Sequence, residues 1–328
     1  MMKITRRTFL KTGLAGAVTL AAASLIPGFN HIFTWAEDID TRNIRCLREA
    51  GFTVDRQTVT VPGLRKSYRF AFLSDLHILI PNEEVSDEAM ETVKERYEKG
   101  FIDPDGTPSC LLWDKLTDAI NELEIDALLL GADMIDYFSQ ANFDCLRKGC
   151  QKLRAPFMYI RADHDYSDSY SRRYSQEAVD EAEQALDGDR EIACLDYGEF
   201  LLAGISKSTG PISAEGLKEL ERLFGLGLPV VLITHVPFDS LIDDSLNKAS
   251  REVWQDRALL WGYQNTLYSP TEEAKHMLDM LYAPDSPVAA VFGGHLHFRA
   301  DVRLTETIPQ HVFDAAFRGN VGYIIVSS

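Results

Sequence analysis

The chain has 328 residues, of which 45% are hydrophobic and 25% are charged. This balance excludes a disordered chain, a collagen-like repeat and a membrane protein with many spans, and the length allows a large core. The formal net charge is −17, from 33 basic and 50 acidic residues. Such an acidic protein has no bulk attraction for nucleic acid or anionic lipid. A phosphorylated substrate would therefore need local positive charge, which bound metal ions can supply.

The first 36 residues differ from the rest, because they contain lysine and arginine but no acidic residue. Residues 5–11, Thr-Arg-Arg-Thr-Phe-Leu-Lys, resemble a twin-arginine export signal at every position. The apolar run Gly13–Ile26 is shorter than the about 20 residues of a membrane-spanning helix and fits the core of a signal peptide. Cleavage after Ala23, cleavage after Ala36 and an uncleaved membrane anchor all stay open. We expect residues 37–328 to form a single domain outside the cytoplasmic membrane.

The five cysteines show no spacing typical of a zinc or redox pair. They are Cys46, Cys110, Cys145, Cys150 and Cys194. The odd number and the chain length favour free, mostly buried thiols, and one disulfide is the alternative.

Five short apolar runs predict buried strands, and each leads directly into aspartate, histidine or both. The runs are residues 68–73, 127–130, 156–160, 229–233 and 288–292. Helical patterns between them, such as Leu111–Leu123 and Ala214–Phe224, indicate an α/β protein. Sites in open α/β sheets lie at the carboxyl ends of the strands, so we expect the polar residues after these runs to meet.

Two longer segments separate these elements. Residues 81–113 contain an acidic stretch, Glu83–Lys99, that we expect to be helical, and a turn over Ile102–Pro108. Residues 238–287 form a candidate lid. The last apolar run is followed by a tail, residues 310–317 and 324–326, that we interpret as closing strands, with His311 in a structural role.

The candidate lid contains aromatic and basic residues that suit an organic phosphate. We expect a helix over residues 250–263, on which Trp254, Arg257 and Trp261 lie near one face. Arg251 and Arg257 would contact phosphate. The two tryptophans and Tyr263 would stack on an organic group. The alternative is that the tryptophans belong to the core and the arginines are solvated. Arg172 and Arg173 are other candidate phosphate contacts.

The side chains after the five runs are of the types that hold catalytic metal ions. The seven candidates are Asp75, His77, Asp133, Asp163, His235, His295 and His297. Imidazole with carboxylate suits Zn, Fe or Mn, and the lack of a thiolate argues against a closed structural zinc site. Seven ligands exceed the need of one ion and suit two ions that share a carboxylate. Such a pair can activate water and hold the attacking and leaving oxygens of a phosphoryl transfer.

These residues lie in five motifs that resemble those of the calcineurin-like metallophosphoesterases, in the same order. The motifs are Asp75-Leu-His77, Gly131-Ala-Asp133-Met-Ile-Asp136, Ala162-Asp163-His164-Asp165, a single His235, and Gly294-His295-Leu-His297. The resemblance implies a four-layer α/β/β/α sandwich of two mixed sheets.

The resemblance also implies a role for each matching residue. The implied ligands are Asp75, His77 and His297 for the first ion, Asp163, His235 and His295 for the second, and Asp133 as the bridge. His164 would face the phosphoryl group, where it steadies charge or protonates the leaving oxygen. Asp136 and Asp165 would orient the ligands or His164, and for Asp136 an ordinary loop carboxylate is the alternative.

Two motifs depart from the family pattern. Ala132 and Ala162 replace glycines, and Asp163 replaces an asparagine whose neutral carbonyl oxygen binds metal in the family. A carboxylate there adds a negative charge, so we expect tighter metal binding and less electrophilic ions. The change also leaves open a slow or inactive relative.

The resemblance implies an exported, dinuclear metal-dependent phosphoesterase that cleaves a phosphomonoester or phosphodiester through a metal-bound hydroxide. The ions would be divalent Mn, Fe or Zn. Similar exported members of the family are phosphodiesterases of the cell envelope, which favours a diester. The expected substrate is a small organic phosphate, a lipid headgroup or an envelope phosphodiester, with no nucleic acid, and the twin-arginine translocase would be a partner during export. The alternatives are a non-catalytic binding relative that keeps the fold, and a hydrolase of a non-phosphate bond.

Overall fold

The computed structural model describes residues 38–167, 170, 175–188, 190–206, 212–264 and 270–328. The predicted export signal, both candidate cleavage positions, Arg172 and Arg173 lie outside these residues. The chain divides into two compact units, Met1–Thr41 and Arg42–Ser328. In the first unit only residues 38–41 are described, and they include the start of helix α1 (Ile39–Glu49). Within the described part of the chain, every helix is too short or too polar to cross a membrane.

The first sheet has five strands and contains three of the five predicted runs. Its strands are β1 (Thr53–Thr60), β2 (Tyr68–Leu73), β3 (Ala127–Gly131), β4 (Phe157–Ile160) and β11 (Asn320–Ser327). They lie in the order β1-β11-β2-β3-β4. Strands β2, β3 and β4 are parallel, whereas β11 is antiparallel to β2, so the sheet is mixed.

The second sheet has six strands and contains the other two predicted runs. Its strands are β5 (Ile192–Asp196), β6 (Leu201–Ile205), β7 (Val230–Thr234), β8 (Val288–Gly293), β9 (Ala300–Arg303) and β10 (Pro309–Val312). The order is β5-β6-β7-β8-β10-β9, with parallel inner pairs and an antiparallel strand at each edge.

Helices connect most of the strands. They are α2 (Met90–Glu95), α3 (Ser109–Asn121), α4 (Gln140–Lys152), α5 (Asp163–Tyr166), α6 (Gln176–Ala185), α7 (Ala214–Phe224), α8 (Ser245–Val253) and α9 (Glu272–Tyr282). Helix α2 continues into a π-helical turn, Arg96–Gly100, and a 3₁₀ turn covers Ala316–Arg318. Serine or threonine side chains cap α4, α6, α7 and α9 at their N-termini.

Alternating side chains of the strands divide the core into layers. Phe70 and Phe72 of β2 pack between the two sheets with Phe292 of β8. Ala71 and Leu73, on the other face of β2, pack in a cluster with residues of α3 and α4. The second sheet packs its outer face against α7 and α9 in the same way. The fold is therefore the predicted four-layer α/β/β/α sandwich.

The predicted helix over Glu83–Lys99 is wrong in its first half. Side-chain turns replace it there, because Asn82 Oδ1 accepts the N–H of Glu84 and Ser86 Oγ accepts the N–H of Ala89. The helix begins only at Met90. The predicted closing strands are right for residues 324–326, but the earlier one ends at Val312.

The predicted helix over residues 250–263 is also wrong, because α8 ends at Val253. Gln255 and Asp256 adopt left-handed backbone, with φ of 56° and 66°, which a continuing α-helix does not allow. The Arg251 guanidinium donates to the Asp256 carbonyl and stabilises this turn. Apolar spacing alone does not reveal such a break.

All five cysteines are free thiols, as predicted. Cys150 is buried and the other four are partly buried.

Candidate metal centre

The site lies where strand ends from both sheets converge. Asp75 and His77 follow β2, Asp133 follows β3, and His164 lies in the short helix α5 after β4. From the second sheet, His235 follows β7 directly, and His295 and His297 follow β8. Parallel strands present their carboxyl ends at one edge, so residues distant in the chain meet here.

Tight turns carry these side chains out of the strands. Five of the candidate ligands adopt left-handed backbone, namely Asp75, His77, Asp133, His295 and His297, with φ between 47° and 69°. Each such residue costs on the order of 1 kcal/mol, and strain of this kind clusters at functional sites. Gly294 allows the last turn to approach the first, since a Cβ there would lie 2.1 Å from Ser74 Oγ and 2.4 Å from Asp75 Oδ2.

Six of the seven predicted ligands form two groups that could each hold an ion. One group is Asp75, His77 and His297, and the other is Asp133, His235 and His295. The ligand atoms of each group lie within 4.8 Å of one another. Asp133 also forms a group with His77 and His164, so it contacts both sides of the centre.

The facing atoms of these groups fit cations. His77 Nε2 lies 3.3 Å from His297 Nε2, and His295 Nδ1 lies 3.2 Å from His235 Nε2. Two facing ring nitrogens can share a hydrogen bond only if one is protonated, whereas both can bind a metal ion. Among the described residues, Asp133 Oδ1 and His295 Nε2 are buried without a hydrogen-bond partner. A carboxylate oxygen can only accept, so Asp133 Oδ1 beside these imidazoles suits divalent Mn, Fe or Zn.

Protonated histidine balances the buried carboxylates in this structure. Burial would raise the pKa values of Asp75 and Asp133, but His235 beside them holds both well below the usual range. Burial would lower the pKa of His235, but Asp133 and Asp75 raise it to about 10. Burial, together with the neighbouring His235, lowers the pKa of His295 to about 3. One imidazole of this facing pair is therefore charged and the other neutral.

Asp136 joins three side chains around the centre. Its Oδ1 lies 3.2 Å from His77 Nδ1 and 3.4 Å from His164 Nδ1, and its carboxylate accepts two bonds from Arg96. The carboxylate is fully buried, and Asp136 O accepts a further bond from His164 Nδ1 at 2.7 Å. Asp136 is thus built into the site, and it orients both His77 and His164.

His164 lies at the rim of the centre, with 35% of its side chain exposed. Its Nδ1 donates to the Asp136 carbonyl, which fixes the ring and leaves Nε2 for another partner. Burial would lower the pKa of His164, but Asp133 and Asp136 raise it to about 11. A cationic imidazole beside the ligand groups can stabilise negative charge or donate a proton.

Asp163 and Asp165 differ sharply in their surroundings, although only His164 lies between them in the chain. Asp165 is buried, and its carboxylate accepts the backbone N–H groups of Asp133, Met134, Ile135 and Ala162. It therefore holds the turn that presents Asp133. Asp163 is exposed and belongs to none of the ligand groups formed by the described residues. Its assignment to the second ion stays a prediction.

The candidate lid contacts the centre through one of its predicted residues. Trp254 is partly exposed, and its ring lies 5.5 Å from the His297 ring, edge to face. Its Nε1 donates to the carbonyl of Leu296. Trp261 is instead a core residue, 3% exposed, that pairs with Phe238.

The basic residues of that segment stabilise their own turn. Arg251 donates to Asn247 and Asp256, and Arg257 donates to the Trp254 carbonyl. The Tyr263 hydroxyl donates to Asp279. Among the predicted contacts of this segment, Trp254 is the one whose ring lies beside the centre. The movement of residues 238–287 as a lid stays a prediction.

Sequence reasoning missed Arg96 and Arg318, which both contact the centre. Arg96 binds Asp136, and Arg318 donates to the His297 carbonyl at 2.5 Å and to Asp314 at 3.1 Å. Their guanidinium groups pack on the rings of Phe101 and Phe317, which line His77. No local pattern marks the contacts of these arginines with Asp136 and His297, because each contact joins distant parts of the chain.

Replacement of Asp165 by asparagine tests whether this carboxylate holds the Asp133 turn. The amide has one acceptor oxygen, so some of the four N–H donors would face an NH₂ group, at a cost of about 1–3 kcal/mol. We expect Asp165→Asn to lower the free energy of unfolding of the metal-free protein in urea by this amount. The matched control Asp163→Asn, on an exposed carboxylate, should leave it nearly unchanged. Equal effects of the two changes would contradict the assignment.

Metal binding should release protons at pH 7. Burial would lower the pKa of His235, but Asp133 and Asp75 raise it to about 10, so the ring is charged at pH 7, whereas coordination requires the neutral form. Binding should therefore tighten as the pH rises, by about tenfold per pH unit for each proton released. Calorimetric titration with Zn²⁺ in buffers of different ionisation enthalpy measures this release. The His276→Ala variant, which removes an exposed histidine near Glu221, should behave like wild type. Heats that do not depend on the buffer would contradict the prediction.

The model of the calcineurin-like phosphoesterase family matches residues 68–299. No curated protein sequence matches. A dimetal phosphatase from Danio rerio aligns with a TM-score of 0.49 and 10% identity, over 76% of this chain and 88% of its own.

Two further solved structures are similar over part of their length. A purple acid phosphatase from yellow lupin (Lupinus luteus) seeds aligns with a TM-score of 0.44 and 10% identity, over 77% of this chain and 45% of its own. A 5'-nucleotidase precursor from Thermus thermophilus aligns with a TM-score of 0.36 and 16% identity, over 76% and 49%. The family match covers most of the chain and includes every motif of the centre, so the chain belongs to the calcineurin-like phosphoesterase family.

Proposed function

We propose that this protein is an exported, dinuclear metal-dependent phosphoesterase, acting on a phosphodiester or a phosphomonoester. The proposal rests mainly on the two ligand groups, one of which contains Asp133, and on cationic His164 at their rim. Membership of the family supports hydrolysis of a phosphoric ester. The resemblance to exported family members favours a diester.

Each residue of the centre has a part in this proposal. Asp75, His77 and His297 hold the first ion, His235 and His295 hold the second, and Asp133 lies between them. Two divalent cations, when bound, supply positive charge to the phosphoryl oxygens and acidify water. Asp163 is assigned to the second ion by its place in the third motif, and the metal content of an Asp163→Ala variant tests that assignment.

His164 acts on the substrate side of the centre. Asp136 holds its Nδ1, so Nε2 is the atom that meets a phosphoryl oxygen or the leaving oxygen. Protonated Nε2 stabilises charge that develops in the transition state and can pass its proton to the leaving group. One ring nitrogen of His164 lies within 4.8 Å of ligand atoms of both His77 and Asp133, which suits this role.

The net charge and the rim of the site support a proposal for the substrate class. The net charge of −17 disfavours a polynucleotide, so we propose a small organic phosphate, a lipid headgroup or an envelope phosphodiester. Trp254 beside His297 offers an aromatic face to the organic part of such a substrate.

The catalytic proposal predicts a specific defect in a His164→Ala variant. The protein, reloaded with Mn²⁺, Zn²⁺ or Fe²⁺, should bind about two ions per chain and hydrolyse a chromogenic phosphate ester. His164→Ala should keep both ions but lose about 10²- to 10⁴-fold in kcat. The His276→Ala variant is the control for loss of a surface histidine.

The metal content and the rates of hydrolysis of phosphate and carboxylic esters distinguish the proposed function from its alternatives. Two ions without turnover of any phosphate ester would favour a binding relative, and turnover of a carboxylic ester alone would favour the non-phosphate hydrolase. Failure to bind metal after reloading would refute the dinuclear centre.

The export proposal is tested by the arginine pair in residues 5–11. Replacement of Arg6 and Arg7 by lysine keeps the charge but removes the pair that the twin-arginine route requires. We expect the double variant to stay in the cytoplasm of a bacterial host, whereas wild type and a Lys3→Gln control are exported. Fractionation and immunoblotting measure this. Export of the double variant at the wild-type level would refute the proposed route.

A further inference from the structure

Arg96 reaches the metal centre from a segment outside the five motifs. Helix α2 ends at Glu95 and continues into the π-helical turn, where the N–H of Phe101 bonds to the carbonyl of Arg96 at 2.8 Å. This wider turn brings Arg96 and Phe101 to the same side of the helix. Single π turns of this kind are frequent at functional sites.

Both residues of the π turn contact groups that surround His77. Phe101 stacks flat on the His77 ring, with centroids 4.3 Å apart and an angle of 6° between the planes. The Arg96 guanidinium lies over the Phe101 ring, 4.7 Å from its centroid, and 5.8 Å from the centroid of the Tyr170 ring. The side chain of Arg96 is only 31% exposed. Its position is therefore set by aromatic packing before any substrate binds.

The guanidinium binds Asp136 through two hydrogen bonds. Arg96 Nε lies 3.0 Å from Oδ2, and Nη2 lies 2.5 Å from Oδ1. A two-point contact of this kind fixes the plane of a carboxylate, which a single contact does not. The same Oδ1 faces His77 Nδ1 and His164 Nδ1. The Asp136 carboxylate thus orients the His77 ring and, together with its own backbone carbonyl, the His164 ring.

We propose that Arg96 is a positioning residue, which holds Asp136 so that His77 faces the metal ions and His164 faces the phosphoryl group. The effect on His77 concerns the metal centre alone, and only the effect on His164 rests on the proposed function. Without Arg96 the carboxylate keeps its histidine contacts on one oxygen but loses the contacts that fix its plane. Both rings then gain rotational freedom.

The test compares Arg96→Ala and Arg96→Lys with a Lys99→Ala control. Lys99 lies in the same π turn, is 71% exposed and pairs with Glu95, so its loss removes one positive charge without touching Asp136. We expect Arg96→Ala to lose about 10- to 100-fold in kcat and in Mn²⁺ affinity, with little change in KM. Arg96→Lys should lose nearly as much, because a lysine cannot make the two-point contact. Added guanidinium, below unfolding concentrations, should restore part of the kcat of Arg96→Ala, whereas methylammonium should not.

Nuclear magnetic resonance of the metal-free protein gives a readout that does not require activity. We expect the Nδ1–H signals of His77 and His164 to be the same in wild type and Lys99→Ala. In Arg96→Ala the His77 signal, whose acceptor is the Asp136 carboxylate, should weaken through exchange with water, and the His164 signal, which also has the Asp136 carbonyl as acceptor, should shift. A His164→Ala spectrum assigns the signals. If wild type hydrolyses no phosphate ester, the proposed function fails, but these signals and the Mn²⁺ affinity still decide the role of Arg96.

Two results would overturn the positioning role. A rise in KM with unchanged kcat and unchanged imidazole signals would make Arg96 a substrate contact. Wild-type kcat, Mn²⁺ affinity and imidazole signals in Arg96→Ala would show that the histidines keep their orientation without it.

Discussion

Four carboxylates, those of Asp75, Asp133, Asp136 and Asp165, are buried at one edge of this sandwich. Negative charges removed from water are costly unless each has a partner. The partners differ: histidines for the first two, Arg96 with two histidines for Asp136, and backbone N–H groups for Asp165. These partners are available because strand ends from both sheets meet here. Divalent cations can balance the acceptor atoms that remain without a partner.

The strained turns bring these charged side chains together. Left-handed backbone at Asp75, His77 and Asp133 is unfavourable, yet it directs these side chains into the common space. Backbone contacts between the turns hold them, since the N–H of Asp75 bonds to Ala132 O and that of His77 to Asp133 O. Protonated His235 and His164 stabilise the carboxylates. Because coordination requires neutral imidazole, a proton and a metal ion would compete for His235.

The strand ends were predictable because their signal is local. An apolar run followed by aspartate or histidine marks both a buried strand and its chemistry, and parallel pairing brings the ends together. The helix over residues 250–263 failed because spacing cannot show that Gln255 and Asp256 turn left-handed. Arg96 was not predicted, for a different reason. Its partner Asp136 lies forty positions away, and its own segment looks like an acidic, solvated stretch.

The motifs name the atoms that can bind metal, but residues outside the motifs determine how those atoms are held. His77 illustrates this, because its ring is fixed by Phe101 on one face and by Asp136 at Nδ1, and Asp136 is itself held by Arg96. Phe101 and Arg96 both belong to the segment between β2 and α3. Changes in that segment could therefore alter metal affinity or rate while every motif stays intact. We therefore expect the reactivity of the centre to depend on the packing of this segment as well as on its ligands.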